Sequence, residues 1–505
     1  MRKFKRYLWY FILICSLVEI ILFPSIENGL LCLLSIIVTF QFCTVINKRV
    51  FITHNFSFWA YFTLFAYRYL PIFGTLLDKN PVSIGFHSAW NVFISETITF
   101  SIATLAFYTT SHLYHPNTGL SVYFKKWGFF KRLDAQSYWI IGFLGLTVNI
   151  GLKFIHNIEL AKILGTISIF QFAPLCLFFP SLTGFRYDKK NNIIKYILLL
   201  FIITLTSGSR QVLLYPICTF ILLYLLNTVK SNQSLLGSMA PSKKLLLLFL
   251  VITTPIIFER LSLAMIASRT VVFDEKSSVI DIVNATIDNF NDSQKLEDIA
   301  QAMDINDPNK STVDINYWDE RYISNSFLNR YCNLRLTDQT LYRLQQVELN
   351  NPTMLDNFIR SNTILLFPTP ILKLANINID KTKYQYSPGD LLLSLPTGNP
   401  IFAANVVTSH VADGLATFGY FYFPIQFAIW VLMFSLIDSF IFVKRNGEVI
   451  YSIFGLVSIF TFFGLTRASA GCGHELYYCL RQYWNGIIGI FLIFYLLKII
   501  RYKIS

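Results

Sequence analysis

The chain has 505 residues, of which 54% are hydrophobic and 48 are phenylalanine, more apolar side chain than an ordinary soluble protein of this length can bury. The composition therefore excludes a soluble globular protein and indicates one that crosses a membrane many times. The formal net charge is +13, but the Lys and Arg residues stand in short clusters beside apolar runs. That placement indicates membrane topology rather than binding of nucleic acid.

Membrane-spanning helices are predicted along most of the chain, because a hydrocarbon core of about 30 Å needs about 20 apolar residues of helix. The sequence MRKFKR precedes the first apolar run without a small-residue cleavage site, so that run is predicted to remain as a signal anchor. We predict an all-α polytopic membrane protein. Its twelve spans run approximately over 7–26, 28–46, 57–77, 92–112, 137–156, 163–183, 193–207, 211–228, 245–265, 414–442, 449–466 and 483–500.

The basic residues of the loops fall on one side of this arrangement. With the N-terminus inside, the opposite face holds little beyond Lys79 and Lys162 in its short loops. The positive-inside rule then predicts both termini in the cytoplasm of a bacterial inner membrane. It divides the chain into an N-terminal bundle (1–265, about nine spans), a periplasmic loop (266–412) and a C-terminal bundle (413–505, about three spans).

The polar insert at 266–412 shows helical periodicity in stretches such as LTDQTLYRLQQVELNN, interrupted by Pro and Gly. It is predicted to be a mostly helical subdomain lying on the bundle. The alternative, a disordered loop, fits poorly with its frequent aromatic and apolar residues.

Several ionisable residues lie within predicted spans. A charged side chain there costs free energy and usually faces a cavity or a partner. They cluster in the middle or outer half of their helices, which favours a polar cavity opening towards the insert. Snorkelling to the interface is the alternative for any one of them. The residues are Arg68, Glu96, Lys153, Glu259 and Arg260.

The sequence TSGSR interrupts an apolar run and puts Arg210 at the start of the returning helix. A helix N-terminus with a guanidinium group is a good receptor for phosphate oxygens. An ordinary hairpin turn with an interfacial arginine is the alternative. Two more arginines, Arg260 and Arg269, bracket the entry to the insert.

At the exit of the insert, SHVADGLATFG puts His410 and Asp413 three residues apart. This spacing places both on one helical face and suits a base with its orienting partner. Alternatively, Asp413 caps the helix.

The last external loop, in LTRASAGCGHELYYCLRQYW, carries four charged or titratable residues, a pattern that favours an anionic ligand. Two cysteines in it, Cys472 and Cys479, are either a disulfide in an oxidising compartment or unpaired thiols. No Cys or His spacing typical of a metal site occurs, so no metal and no cofactor is predicted. The four charged or titratable residues of this loop are Arg467, His474, Glu475 and Arg481.

An external cavity rich in arginine fits an anionic substrate delivered from the lipid phase, such as a lipid-linked pyrophosphate. The order of motifs resembles that of Wzy-type polysaccharide polymerases, which join the repeat units of O-antigen and capsule. The matching elements are the Gly208–Arg210 turn, one large external loop, Asp413 with Phe418 and Gly419 after it, and late Arg467. This chain has Ala412 and Asp413 where the family more often has Gly and Glu.

The resemblance implies a GT-C-like inverting glycosyltransferase that uses an undecaprenyl-pyrophosphate-linked glycan as donor and a lipid-linked repeat unit as acceptor. It also implies that the protein is surrounded by membrane lipid and that a flippase and a chain-length regulator of the same pathway are its partners. His410 and Asp413, or His474 and Glu475, would supply the base. The pyrophosphate would be bound by Arg210, Arg260, Arg269, Arg467 and Arg481. An O-antigen ligase and a lipid-linked oligosaccharide flippase remain as alternatives.

Overall fold

The structure is a computed structural model, and it describes residues 1–113, 117–152, 164–205, 210–233, 257, 259–268, 279–302, 322–362, 366–367, 369–377, 386–398, 406–467 and 471–504. The fold is mostly helical (78%). Four helices in the described ranges are long and apolar enough to cross a membrane, namely Ile26–Val45, Ala89–Leu113, His410–Asp438 and Gly473–Arg501. The chain is a helical membrane protein, whereas the count of twelve spans stays a prediction.

The helices before the insert differ in how they begin, and several of them follow a residue whose side chain caps the first turn. Ser25, for example, accepts a hydrogen bond from the amide of Asn28 at 3.1 Å and so satisfies one of the free amides of the first turn. The helices before the insert are Arg2–Leu22, Ile26–Val45, Lys48–Thr53, Asn55–Tyr69, Pro71–Leu77, Ala89–Tyr108, Gly119–Lys126, Ala135–Gly151, Pro180–Thr183, Lys190–Leu205 and Arg210–Lys230, with a π-helical turn at Thr109–Leu113 and a 3-10 segment at Ile169–Phe178.

Shorter helices build the insert, and a mixture of long and short ones follows it. In the insert they are Val279–Asn291, Ser293–Ala302, Ser326–Tyr331, Leu334–Leu344, Pro352–Asn362, Thr369–Leu374 and Pro388–Thr397. After it come His410–Phe418, Tyr422–Asp438, Ile453–Val457, Ile459–Gly464, Gly473–Tyr477 and Tyr483–Ile504, with a 3-10 turn at Gly419–Phe421 and a π-helical turn at Tyr478–Gln482.

Several predicted spans differ from single α-helices. The predicted span 57–77 consists of two helices that meet at Pro71, because proline lacks an N–H and its ring displaces the preceding turn. Spans 414–442 and 449–466 are joined by a β-hairpin, in which β1 (Ile441–Val443) pairs antiparallel with β2 (Val449–Tyr451). The hairpin is a local exception in a fold that is otherwise helical, as predicted.

The abundant aromatic residues pack the helices of the bundle together. Phe42 stacks on Phe65 with ring centroids 4.0 Å apart, and Tyr61 stacks on Phe107 at 4.5 Å. All four side chains are buried. Such rings bury large areas and add a preference for specific stacking geometry, so they fix how the helices pack.

One end of the bundle collects loops that the positive-inside rule assigns to the cytoplasm. Arg132 forms an ion pair with Glu448 of the hairpin at 2.9 Å, and the Lys230 ammonium donates to the Val449 carbonyl at 2.8 Å. Arg501 pairs with Asp134 at the same end. These contacts hold the β-hairpin against the basic loops.

The insert docks on the loop between the Pro71–Leu77 and Ala89–Tyr108 helices. Tyr322 donates its hydroxyl to the Val82 carbonyl at 2.6 Å, and the Asp338 carboxylate accepts from the amides of His87 and Ser88 at 2.6 and 2.8 Å. Burial raises the pKa of Asp338 above its ordinary value, although both amide bonds favour the ionised form. The Leu334–Leu344 helix of the insert, which carries Asp338, is therefore held to this loop by a buried carboxyl group.

A second apolar core joins the insert to the segments that follow it. The predicted domain boundary at 412 and 413 falls within the His410–Phe418 helix, so insert and C-terminal bundle share this core. Its buried members are Leu341, Leu344, Val347, Met354, Leu391, Leu392, Val411, Ala412, Ala416, Tyr422 and Cys472.

Candidate functional site

Two of the predicted site residues, His410 and Glu475, form a buried contact pair. His410 Nε2 lies 2.6 Å from Glu475 Oε1, and the residues are 3% and 0% exposed. The indole nitrogen of Trp430 approaches the same carboxylate oxygen at 3.5 Å, and its ring lies 5.9 Å from that of His410. With Nε2 committed to a carboxylate, the other ring nitrogen, Nδ1, is the one suited to accept a proton.

Asp413 is engaged elsewhere than the sequence predicts. Ser409 caps the His410–Phe418 helix through the amide of Ala412 at 3.3 Å, so the prediction that Asp413 caps this helix is wrong. Asp413 Oδ2 accepts from the amide of Cys472 at 2.8 Å. The carboxylate that holds His410 is Glu475, and Asp413 instead fixes the turn that leads to Glu475.

That turn requires glycine at position 471. Gly471 has a φ of +75°, which L residues with a side chain adopt at a cost. A Cβ there would lie 2.7 Å from Asp413 Oδ2. Asp413 thus approaches the backbone closely because no side chain intervenes.

His474 and Arg467 lie beside the pair. His474 is half-buried next to Glu475, and Arg467, His410 and Glu475 all lie near enough to act on it electrostatically. The chain before Arg467 is anchored by Thr466, whose hydroxyl donates to the Ala60 carbonyl at 2.5 Å. A cationic group is therefore held near the His410 and Glu475 pair.

The other predicted arginines have different positions. Arg481 is buried in the π-helical turn after Glu475. Arg260 is exposed, donates to the Phe290 carbonyl and to the Ser293 hydroxyl at 2.9 Å each, and lies over the Phe290 ring. It is thus committed to the Val279–Asn291 helix and its neighbour.

Arg210 and Arg269 complete the predicted set. Arg210 begins the Arg210–Lys230 helix, but its side chain, like the whole of Arg269, lies outside the described residues, as do Gly208 and Ser209. Further along the same helix, Tyr215 packs against Phe460 at 4.9 Å and lies within electrostatic reach of Arg467. The helix that Arg210 begins therefore passes beside Arg467.

A helix of the insert, Leu334–Leu344, connects the site to the bundle. The Thr340 and Ser409 hydroxyls lie 2.7 Å apart, so this helix touches the cap of the helix that carries His410. One turn earlier, the Thr337 hydroxyl donates to Glu96 Oε1 at 2.5 Å. The insert thereby positions His410 relative to the bundle.

Arg68 and Glu96, two of the charges within predicted spans, form a buried ion pair under this helix. Arg68 also donates to the Leu64 carbonyl at 2.7 Å. Both are almost fully buried, so snorkelling is wrong for them, and they face a partner rather than an open cavity. Lys153 lies outside the described residues, and Glu259 accepts from the Asn325 amide at 3.3 Å.

Cys472 and Cys479 are both free and buried. Of the two predicted alternatives, the structure therefore shows unpaired thiols and not a disulfide. Within the described ranges, no group of three or more His, Cys, Asp or Glu residues is arranged to hold a metal ion. The chemistry that the site offers is therefore a base held by a carboxylate, with arginine nearby.

Sequence reasoning identified His410 and Glu475 but paired each with its neighbour in the chain. It missed Trp430, Thr337 and Thr340, for which no sequence signal exists apart from their place in helices. Ser409 is different, because a serine directly before an apolar helical stretch is a recognisable N-cap.

Comparison of the chain with protein-family models, with curated proteins and with solved structures finds no match.

Proposed function

We propose that this protein is a Wzy-type polymerase that joins lipid-linked oligosaccharide repeat units by inverting glycosyl transfer, with the His410 and Glu475 pair at its centre. The observation that carries the proposal is this contact, 2.6 Å between Nε2 and Oε1, buried beneath the insert and close to Arg467 and His474. A base held by a carboxylate next to a cation suits attack by a hydroxyl with departure of an anion.

In the proposed reaction, the acceptor hydroxyl oxygen bonds to the anomeric carbon of the donor sugar while the bond from that carbon to the pyrophosphate oxygen breaks. The hydroxyl proton passes to His410 Nδ1. Glu475 stabilises the imidazolium that forms, as the aspartate does for the catalytic histidine of Ser-His-Asp hydrolases. Undecaprenyl pyrophosphate leaves with the bonding electron pair.

The leaving group gains negative charge as the bond breaks, and arginine stabilises that charge most in the transition state. Arg467 is the best placed of the predicted arginines. Arg210 is proposed as its partner, because the helix that it begins passes Arg467 at Tyr215. Arg481 is kept as a supporting cation, and Arg260 is assigned to fixing the insert.

The buried pair implies a covered resting state, since His410 is 3% exposed. Substrate entry would require the insert to move away from the bundle, and its return would exclude water that would hydrolyse the donor. The second apolar core, shared by the insert and the His410–Phe418 helix, is the surface that such motion would separate.

The proposal extends to topology. We propose twelve spans in a GT-C-like arrangement in the bacterial inner membrane, with termini in the cytoplasm and the insert in the periplasm. The arrangement of contacts supports the proposed orientation: basic loops meet at the end of the bundle that holds the β-hairpin, whereas the insert docks on the loop at 78–88. A flippase and a chain-length regulator would act with the protein.

The test is to supply the purified protein in lipid nanodiscs with a single undecaprenyl-pyrophosphate-linked repeat unit. Lengthening of the glycan in the absence of any lipid A acceptor supports the polymerase. Transfer only when lipid A core is added would favour the ligase. Movement of the substrate across a vesicle membrane without lengthening would favour the flippase.

A further inference from the structure

A cavity of about 410 Å³ lies within the bundle beside the site. Tyr477 and Tyr478 line it, and they follow Glu475 directly in the same helical stretch. The cavity is also lined by Asn149, near the last turn of the Ala135–Gly151 helix, and by Asn485, in the first turn of Tyr483–Ile504. These are the helix ends that the proposed topology puts on the periplasmic side, so the cavity lies on the side of the insert.

The polar lining of this cavity is uncharged. Four amide side chains, those of Asn149, Gln171, Gln482 and Asn485, line it, and among its described lining residues none carries a charge. Each amide offers two donors and an acceptor. A hydrocarbon chain gives such groups nothing to bind, and the described side chains of the lining offer a charged ligand no ion pair.

Two further hydroxyl groups in the lining have unmet hydrogen-bonding capacity. The Ser458 and Tyr478 hydroxyl oxygens are buried, and neither has a hydrogen-bond partner within the described portion of the chain. Buried polar groups normally have partners, and an unpaired one costs about 1–3 kcal/mol. The Asn149 amide meanwhile donates to Gln171 Oε1 at 3.0 Å, which holds the two amides in one orientation. The wall of the cavity therefore holds polar groups in a fixed arrangement that suits a ligand with its own donors and acceptors.

Aromatic rings form the apolar part of the wall, including Tyr215, Phe462 and Tyr477. A pocket with apolar and aromatic walls and a few convergent polar groups is typical of a small-molecule site, and its size falls in the usual range of about 300–1,000 Å³. A sugar ring presents both kinds of surface, because its hydroxyl groups hydrogen-bond and its C–H faces pack on aromatic rings.

We infer that this cavity binds an uncharged sugar residue. The inference rests on the proposed function in one respect, which is that the sugar belongs to the lipid-linked glycan. It adds that the sugar held next to the His410 and Glu475 pair carries neither a carboxylate nor an amine. The acceptor or donor repeat unit is thus neutral at this position.

The experiment measures binding of free methyl glycosides by saturation-transfer NMR to the purified full-length protein, with no lipid-linked substrate present. The probes are the methyl glycosides of glucose and N-acetylglucosamine, which are neutral, and those of glucuronic acid and glucosamine, which are charged. Neutral probes are expected to bind and the charged ones to bind about tenfold more weakly or worse, because a charged group would lose its hydration without gaining an ion pair to the described side chains of the lining.

Matched variants locate the binding. Asn149→Leu should weaken binding of the neutral probes by about fivefold or more, as for loss of a hydrogen-bonding amide. Gln136→Leu, on an exposed position of the same helix, should leave it unchanged. Ser458→Ala, which removes only a hydroxyl group, is the second variant in case Asn149→Leu does not fold. It should weaken binding of the neutral probes by a similar factor.

Equal binding of charged and neutral probes, absence of binding, or full binding by both Asn149→Leu and Ser458→Ala would overturn the inference. So would displacement of the sugars by geranylgeraniol, which would assign the cavity to an isoprenoid chain. None of these readouts depends on polymerisation. A protein that binds neutral sugars here but does not lengthen a glycan would contradict the proposed function and leave the sugar site standing.

Discussion

His410 and Glu475 lie in separate helices, at the start of His410–Phe418 and in Gly473–Tyr477, yet His410 Nε2 is 2.6 Å from Glu475 Oε1. The contact joins the exit of the insert to the segment that carries the Gly473–Tyr477 helix. Thr340 fixes one side of it through Ser409, and Asp413 fixes the other through Cys472. The pair is thus positioned from both the insert and the C-terminal bundle.

Replacing Glu475 with glutamine keeps the shape of the side chain but removes the charge that stabilises the His410 imidazolium. We expect kcat for glycan lengthening to fall by about 100-fold to 10,000-fold, with little change in KM for the acceptor. Steady-state kinetics on a lipid-linked repeat unit measures both. The control is Glu448→Gln in the β-hairpin, whose partners Arg132 and Lys444 are exposed and whose loss should change neither constant. A variant Glu475→Gln with wild-type kcat would remove the carboxylate from the mechanism.

Two of the predicted arginines, Arg467 and Arg260, should differ in their effect on kcat. Arg467→Ala is expected to reduce kcat by about 100-fold or more, because it removes a cation near the leaving group. Arg260→Ala removes an exposed contact to Phe290 and Ser293 and should lower kcat less than about threefold, as exposed contacts contribute little. Product release measured as free undecaprenyl pyrophosphate distinguishes them. Equal losses in the two variants would contradict the assignment of their roles.

Gly471→Ala should destabilise the protein more than Gly398→Ala. Both glycines have positive φ, which costs alanine about 1–2 kcal/mol. At Gly398 a Cβ meets nothing within 4 Å, whereas at Gly471 it would lie 2.7 Å from Asp413 Oδ2. Thermal melting in detergent should therefore show a larger drop in Tm for Gly471→Ala, accompanied by loss of activity. If the two variants melt alike, Asp413 does not depend on this close approach.

The Thr340 hydroxyl should matter to both stability and activity. Thr340→Val keeps the shape and leaves the Ser409 hydroxyl without this contact, at a cost of about 1–3 kcal/mol. Because Ser409 caps the helix that carries His410, we also expect a fall in kcat. Thr353→Val, at an exposed position of the Pro352–Asn362 helix, is the control for tolerance of the substitution. Melting temperature and kcat together test the prediction, which fails if Thr340→Val matches the control in both.

The sequence was sufficient to predict a helical membrane protein and to select His410 and Glu475. It predicted their pairing incorrectly because spacing along a helix reveals only neighbours within one element, and this pair is formed between two. The ion pair of Arg68 and Glu96 was likewise read as lining a cavity, since hydropathy shows that a charge lies in a span but not which partner it faces.

The β-hairpin was missed although its signal is present. Asn446 and Gly447 stand between the apolar runs Ile441–Val443 and Val449–Tyr451, and Gly447 has a φ of +80°. An Asn-Gly turn flanked by apolar residues is a strong hairpin signal. The predicted spans 414–442 and 449–466 include these runs, because hydropathy alone does not distinguish a short apolar strand from the end of an apolar helix.

The most direct test of the central claim is the chain length of the glycan made from a single lipid-linked repeat unit by the purified protein, by His410→Ala and by His112→Ala. His112 lies in the exposed π-helical turn after the Ala89–Tyr108 helix, where the Ser111 hydroxyl bonds to its ring. We predict long polymers from the wild type and His112→Ala, and unextended repeat units from a folded His410→Ala. Wild-type polymer from His410→Ala would contradict the account.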